Sequence, residues 1–250
     1  MKWILVLVLI GCVSPVKPSG GSASAKRAQR EQLNELLPVA LSTEGPWRGP
    51  IVDAKIRIYA DDEFRAQNLD WKRTFDDTLE YANAVLGAEL GVRLVPDYRE
   101  WEHHAPGNSL DEDLKELEQL DDGGDALTVI GLTSSLSLVS ATFEQLGYAS
   151  VPGRHMMLRG YADLVERKAF AESFPDLSRD EREKAHDARR RHKVTALLLH
   201  ELGHNLGAPH DATEDTLMSP TYSRNAAAFS AEAHATIQHT LDHRLGRSAD

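Results

Sequence analysis

Eleven consecutive residues, His200-Glu201-Leu202-Gly203-His204-Asn205-Leu206-Gly207-Ala208-Pro209-His210, carry three imidazoles and a carboxylate at the spacing a hydrolytic metal site requires. On a helix, positions i and i+4 lie one above the other, so His200 and His204 can point at one ion. Glu201, beside the first of them, is placed to hold a metal-bound water and take its proton. Gly207 follows His204 by three residues and can take the positive φ that stops a helix. The chain then turns back and brings His210 round as a third ligand. Three protein ligands leave a fourth position open, the arrangement of one catalytic zinc ion rather than a structural one. A bare H-E-x-x-H recurs by chance in unrelated helices, whereas a glycine and a third histidine at fixed offsets make the pattern far more specific. The plainer reading is a buried helix with satisfied histidines and an ordinary capping glycine. It explains neither Glu201 nor the second and third histidines together.

These residues resemble the metzincin zinc peptidases, whose pattern H-E-x-x-H-x-x-G-x-x-H is followed by a methionine turn. Met218 lies eight residues after His210, in Thr216-Leu217-Met218-Ser219-Pro220. It resembles the methionine that forms an apolar floor beneath the metal, and an ordinary core methionine would pack in much the same way. Within the clan, His200 to His210 with Asp211 looks like the adamalysin helix. The run Leu217-Met218-Ser219-Pro220-Thr221-Tyr222 looks like the matrixins, by which Pro220 and Tyr222 border the pocket for the side chain after the scissile bond. Pro220 stands where astacins and serralysins carry a metal-binding tyrosine, so none is expected.

The resemblance implies a metzincin-like zincin domain: an α/β fold with a mostly parallel twisted sheet, one antiparallel edge strand, an active-site helix and a C-terminal helix. In that clan the edge strand lies above the site and pairs with extended substrate. Gly147 to Val151 is the candidate, with Gly147, Tyr148 and Ala149 in contact with substrate and Pro152 suited to an edge. A mere hairpin is the alternative. Two matrixin features are missing, a propeptide cysteine that would impose latency and a second histidine set for a structural zinc. Latency, if the enzyme has any, is left to residues 26–50 lying over the cleft. The resemblance thus identifies the clan rather than a family within it.

The elements that must position these residues follow from periodicity. Ala54 to Ala60 alternates apolar and polar as a strand. A helix is expected from about Asn68 to Leu86, with Trp71, Phe75, Leu79, Ala82 and Leu86 on one face and Gly87 and Gly91 at its end. Val92 to Val95 begins a strand, residues 109–120 form an acidic helix, and Ala126 to Leu132 reads as a central strand. His155 to Arg159 is another. Strands alternating with helices indicate a largely parallel sheet. Residues 162–192 read as a charged helical insertion with a capping box at Ser178 and Glu181. Its end, Arg189 to Lys193, is expected to be solvated, and the metal helix to run from Lys193 to Leu206. Ser230 caps a last helix reaching Leu245.

Other clusters are weaker. His239 and His243 share the i, i+4 spacing but lack a third ligand and a water-activating Glu. His103 and His104 point to opposite sides of any regular element. Asp121, Asp122 and Asp125 flank Gly123-Gly124 without the EF-hand pattern, and a solvated acidic turn is expected there.

The chain has 250 residues, enough for one domain with its own core, at residues 51–250. Its composition is 41% hydrophobic and 27% charged, which suits a globular protein rather than disorder. A formal charge of −11 disfavours nucleic acid or an anionic membrane surface as main partner. The N-terminal Met1-Lys2-Trp3-Ile4-Leu5-Val6-Leu7-Val8-Leu9-Ile10-Gly11 is too short to span a bilayer and reads as a removable signal peptide. Leu9-Ile10-Gly11-Cys12 resembles a bacterial lipobox, which implies cleavage before Cys12 and lipidation of the only cysteine. A conventional secretory signal cut further on is the alternative. Residues 12–25 then form a flexible Pro-, Gly- and Ser-rich tether, and residues 26–50 a helix (Ala25 to Leu37) with its linker. The expectation is a monomeric lipoprotein of the bacterial envelope, lipid-anchored in the outer membrane, or a secreted protein if Cys12 is not lipidated. It would act as a zinc endopeptidase on peptide or protein substrates, with Glu201 activating the zinc-bound water. The rivals are a zinc amidase acting on cell-wall peptides and a binding lipoprotein without turnover.

Overall fold

A computed structural model describes residues 22–104, 109–136, 145–161 and 163–247. Cys12, the signal segment and most of the tether fall outside them. The described elements are α1 (Ala23–Leu36), β1 (Val52–Ala60), α2 (Asp62–Gln67), α3 (Trp71–Leu90), β2 (Val92–Glu100), α4 (Leu110–Leu120), β3 (Thr128–Leu136), β4 (Gly147–Ala149), β5 (His155–Tyr161), α5 (Asp163–Ser173), α6 (Arg179–Asn205) and α7 (Ala231–Leu245). Among the described residues no helix is long and apolar enough to cross a membrane.

The five strands run in the order β2-β1-β3-β5-β4. The first four pair in parallel, and β4 pairs antiparallel with β5, Tyr148 opposite Met157. This is the mixed α/β architecture that the motif implied. Period-two alternation sorts the strands' side chains between two cores. Ile56, Ile58, Ile130, Leu132 and Met156 face α3, α6 and α7, while Tyr59, Val129 and Met157 face α4. Gly131 is needed in β3 because a Cβ there would fall on Met157. β2 runs on through Pro96 to Glu100, which an edge strand tolerates since one side of its backbone has no ladder partner to lose.

Helix α3 has the expected buried face but starts at Trp71 and runs past Gly87. The stop is Gly91, whose φ of +64° is the left-handed conformation a helix end uses. Gly87 instead lets Ile51 pack against the helix.

The larger correction concerns the charged insertion. Its second helix does not end before the metal motif: α6 is one helix of 27 residues, opened by the Ser178–Glu181 capping box and closed after Asn205. The Arg189–Lys193 stretch therefore lies mid-helix, and His192 and Lys193 are buried. Helices α1 and α5 pack on its N-terminal half through a third, smaller core of Leu33, Phe170, Phe174, Leu177 and Ala185. The linker after α1 is fastened to the loop before α7, with Val39 N–H on the Arg224 carbonyl at 2.8 Å and Ser42 N–H on that of Ala227 at 2.7 Å. Trp47 covers Gly91 and lies under Arg247. These contacts of residues 23–50 run to α3, α5, the N-terminal half of α6 and the far loop, not to the histidines.

The acidic turn is also not simply solvated. Asp121 is buried, bonded by Arg57, by Tyr59 Oη at 2.9 Å and by the Gly123 N–H at 2.9 Å. Burial pushes its carboxyl up, but the bonds from Arg57, Gly123 and Tyr59 outweigh this and hold it below its ordinary value.

Candidate metal centre

Helix α6 delivers the first two histidines and its C-cap delivers the third. The cap is a Schellman motif: the Ala208 N–H bonds the Gly203 carbonyl and the Gly207 N–H bonds that of His204, both at 2.9 Å. Gly207 supplies the φ of +91° that this turn needs. His200, His204 and His210 then converge, each offering one ring nitrogen within 4.8 Å of the others. His200 Nε2 lies 3.1 Å from His204 Nε2 and 3.3 Å from His210 Nε2. Tetrahedral zinc bonds of 2.0–2.1 Å would place ligand nitrogens about 3.3 Å apart, so the spacing fits that ion.

The tautomers agree. His200 Nδ1 lies 2.7 Å from the Leu217 carbonyl and His204 Nδ1 2.8 Å from that of Ala208. A carbonyl can only accept, so each Nδ1 carries the proton and each Nε2 presents a lone pair. Burial lowers the pKa of His200 to about 3, the neighbouring histidines adding to it, and burial lowers that of His204 as well. Neutral rings with facing lone pairs cannot bond each other; a shared cation resolves the repulsion. His200 is buried and His210 exposed, so the cluster opens to solvent on the His210 side. Among the described residues it is the one group of this kind, and neither His239 with His243 nor His103 with His104 forms another. His103 instead bonds Asp113 at 3.1 Å.

Glu201 is 2% exposed, and its carboxylate abuts Gly147 of β4 so closely that a Cβ on Gly147 would collide with it. Burial raises its pKa to about 8. Met218 is fully buried and lies against Gly203, where any side chain would displace its sulfur. The structure thus brings His200, Glu201, His204, His210, Gly147 and Met218 together. Tyr148 points outward at 43% exposure on the terminal strand, beside Ala149. Pro220 is exposed, and Tyr222 is half-buried with its hydroxyl 3.0 Å from His192 Nδ1. His192 Nε2 donates to the Ala226 carbonyl at 3.0 Å, which leaves Nδ1 to accept from the tyrosine. Burial pushes Tyr222 up to about 12.

Two supports, Asp211 and Asn205, stand out in the sequence only through the likeness to the adamalysin helix, which says nothing of what they bond. Asp211 ties the returning loop together, accepting from Thr216 at 2.6 Å and Ser230 at 2.8 Å. Asn205, next to His204, is fully buried. It donates to the carbonyls of Ser150 at 3.1 Å and His155 at 2.8 Å and accepts from Thr128 Oγ1 at 2.6 Å. It locks the end of the metal helix to β3 and to the β4–β5 turn. Asn205→Ala should cost about 3 kcal/mol, since three partners lose their bonds in the dry interior. Urea unfolding of the metal-free protein measures this, and a loss under ~0.5 kcal/mol would show that the network carries no weight.

The same pKa shifts set how metal-free stability varies with pH. His200 and His204 are depressed from 6.5, so their contribution is present above pH 6.5 and lost as pH falls toward about 3 for His200. Glu201 is raised from 4.5, so its contribution is present below pH 4.5 and lost as pH rises through about 8. Between 4.5 and 6.5 the His200 proton on the unfolded chain offsets the Glu201 proton on the folded one, and the depressed His204, which binds more proton unfolded than folded, makes stability rise with pH. Above 6.5 the sign reverses. These groups therefore give a stability maximum near pH 6.5, and chemical denaturation across pH 5–8 with chelator present would refute it by showing no decline on the alkaline side.

The matrixin family profile matches residues 53–240. Among solved structures, archaemetzincin from Methanopyrus kandleri is similar at 20% identity and a TM-score of 0.50, covering 76% of this chain and 96% of that one. Metalloproteinase-II from Bacteroides fragilis shows 13% identity and a TM-score of 0.47 over 86% of this chain and 60% of that one. No curated protein matches the chain. With three-quarters of its length matched and the histidine cluster in place, this chain belongs to the matrixin family of zinc metallopeptidases.

Proposed function

We propose that the chain is an endopeptidase acting outside the cytoplasm, with one zinc ion on His200, His204 and His210 and with Glu201 as the proton carrier. The observation that carries this reading is the convergence of three Nε2 atoms beside a buried carboxylate that itself touches the edge strand. Zinc bound there would supply a Lewis acid that acidifies water and polarises a carbonyl. Glu201 accepts the proton of the attacking water and returns it to the leaving amine. Its high pKa without metal suits the second half of that task, and a nearby dication favours the ionised form needed for the first.

Substrate is held along β4. This is the last strand of the sheet, so its outer edge can add an extended peptide by backbone hydrogen bonds. Gly147 keeps the backbone close to Glu201, Tyr148 and Ala149 flank the bound peptide, and Pro220 and Tyr222 border the pocket beyond the scissile bond. The test is digestion of a proteome-derived peptide library with and without chelator. Chelator-sensitive cleavage within peptides is expected; cleavage of wall fragments alone would favour the amidase, and no turnover of either would leave a binding protein.

The N-terminal segment supports export, with Cys12 lipidated and the monomer anchored in the bacterial envelope. Cys12→Ser should move the protein from the membrane fraction to the soluble exported fraction. An unchanged distribution would rule out the anchor.

A further inference from the structure

A cavity lies between α5 and α6, remote from the metal-site histidines: His186, in its wall, precedes His200 by 14 residues, about 21 Å of helix. It measures about 250 Å³ and is lined by Arg167 and Phe170 of α5 and by Arg179, Arg182, Glu183 and His186 of α6. Three guanidiniums face one carboxylate there, on a chain whose net charge is −11. Arg179 Nε bonds Glu183 at 2.6 Å, and Arg167 lies 3.3 Å from Asp187 just outside the lining. Arg182 differs. Its Nη1 bonds the carbonyls of Phe174 at 3.0 Å and Leu177 at 2.7 Å, which fix the guanidinium without neutralising it.

The independent sign is His186. It is 1% exposed, and its Nε2 has no hydrogen-bond partner; the Glu166 carboxylate stands 3.7 Å away, beyond bonding distance. Its Nδ1 lies 3.3 Å from Asp187 Oδ1, and the Phe170 ring meets it edge-on at 6.0 Å. An orphaned polar atom sealed from solvent is costly, and a ligand relieves that cost once the His186 ring turns this nitrogen into the cavity. We propose that this cavity binds a small molecule bearing an oxyanion, a carboxylate or a phosphate, with an apolar body against Phe170. Arg182 holds the charge, Arg167 and Arg179 guard the mouth, and His186 Nε2 completes the hydrogen bonding. The volume lies below that of pockets for drug-sized molecules, so the ligand is smaller than those.

The test uses the full chain, titrated at constant ionic strength with benzoate and with inorganic phosphate, sodium chloride serving as control. The readout is the NMR signal of the His186 ring, which separates this cavity from the metal centre. A saturable shift with either anion is expected; benzoate alone would assign a carboxylate with a flat body, and phosphate alone a phosphate group. Arg182→Gln should weaken binding about tenfold, since a charge-assisted bond is lost. Because Arg182 also holds two carbonyls, His186→Phe is the second variant: it keeps the ring and removes the nitrogens, so it should fold and bind weakly, read by thermal shift. No saturable response to either anion, or affinity unchanged in both variants, would overturn the proposal.

Discussion

Glu201→Gln should leave zinc bound at wild-type stoichiometry while lowering peptide turnover by about 10³-fold, within the usual range for loss of a positioned general base. The amide has nearly the same shape as the carboxylate, so it fits beside Gly147 without moving β4. It carries no charge to desolvate, and the metal-free variant should be no less stable than wild type, because burial already disfavours the ionised form. Metal analysis paired with single-turnover kinetics separates the two effects. Turnover within tenfold of wild type, with zinc retained, would remove Glu201 from the chemistry and leave the histidine cluster standing.

His200→Ala should weaken zinc binding by about a thousandfold. Zinc sites in proteins are worth roughly 10–16 kcal/mol, and one ligand of three carries about a third of that. His200 is also the hub of the cluster, since both other Nε2 atoms lie beside its own. The substitution removes the donor that holds the Leu217 carbonyl, so the loop carrying Met218 loosens even without metal. His210→Ala is the control. His210 is exposed at the open side, and its loss should weaken zinc while sparing metal-free stability. Equal destabilisation of the metal-free protein by both variants would contradict this division between a buried anchor and an exposed ligand.

The features legible in the sequence are those set by local chemistry. The spacing of His200, His204 and Gly207 implies a helix, its stop and the return to His210, because the cap needs only one glycine with positive φ. Gly147 was legible as an edge residue, but the collision with Glu201 that forbids a side chain there depends on two segments far apart in the chain. The partners of the histidine Nδ1 atoms were silent, since a backbone carbonyl leaves no trace in residue type. The charged run Arg189 to Lys193 misled for a related reason. Charge predicts solvent only when nothing covers the helix, and here α5, α1 and Tyr222 cover it.

The unbroken α6 has a practical outcome for anyone dissecting the protein. Excising the insertion to reach a minimal catalytic scaffold would cut the metal-bearing helix in its middle. A fragment starting near residue 193 would lose the Ser178–Glu181 cap and expose a row of unsatisfied amide protons two turns from His200. Fraying from that new end would reach the first ligand before any distant part of the sheet was disturbed.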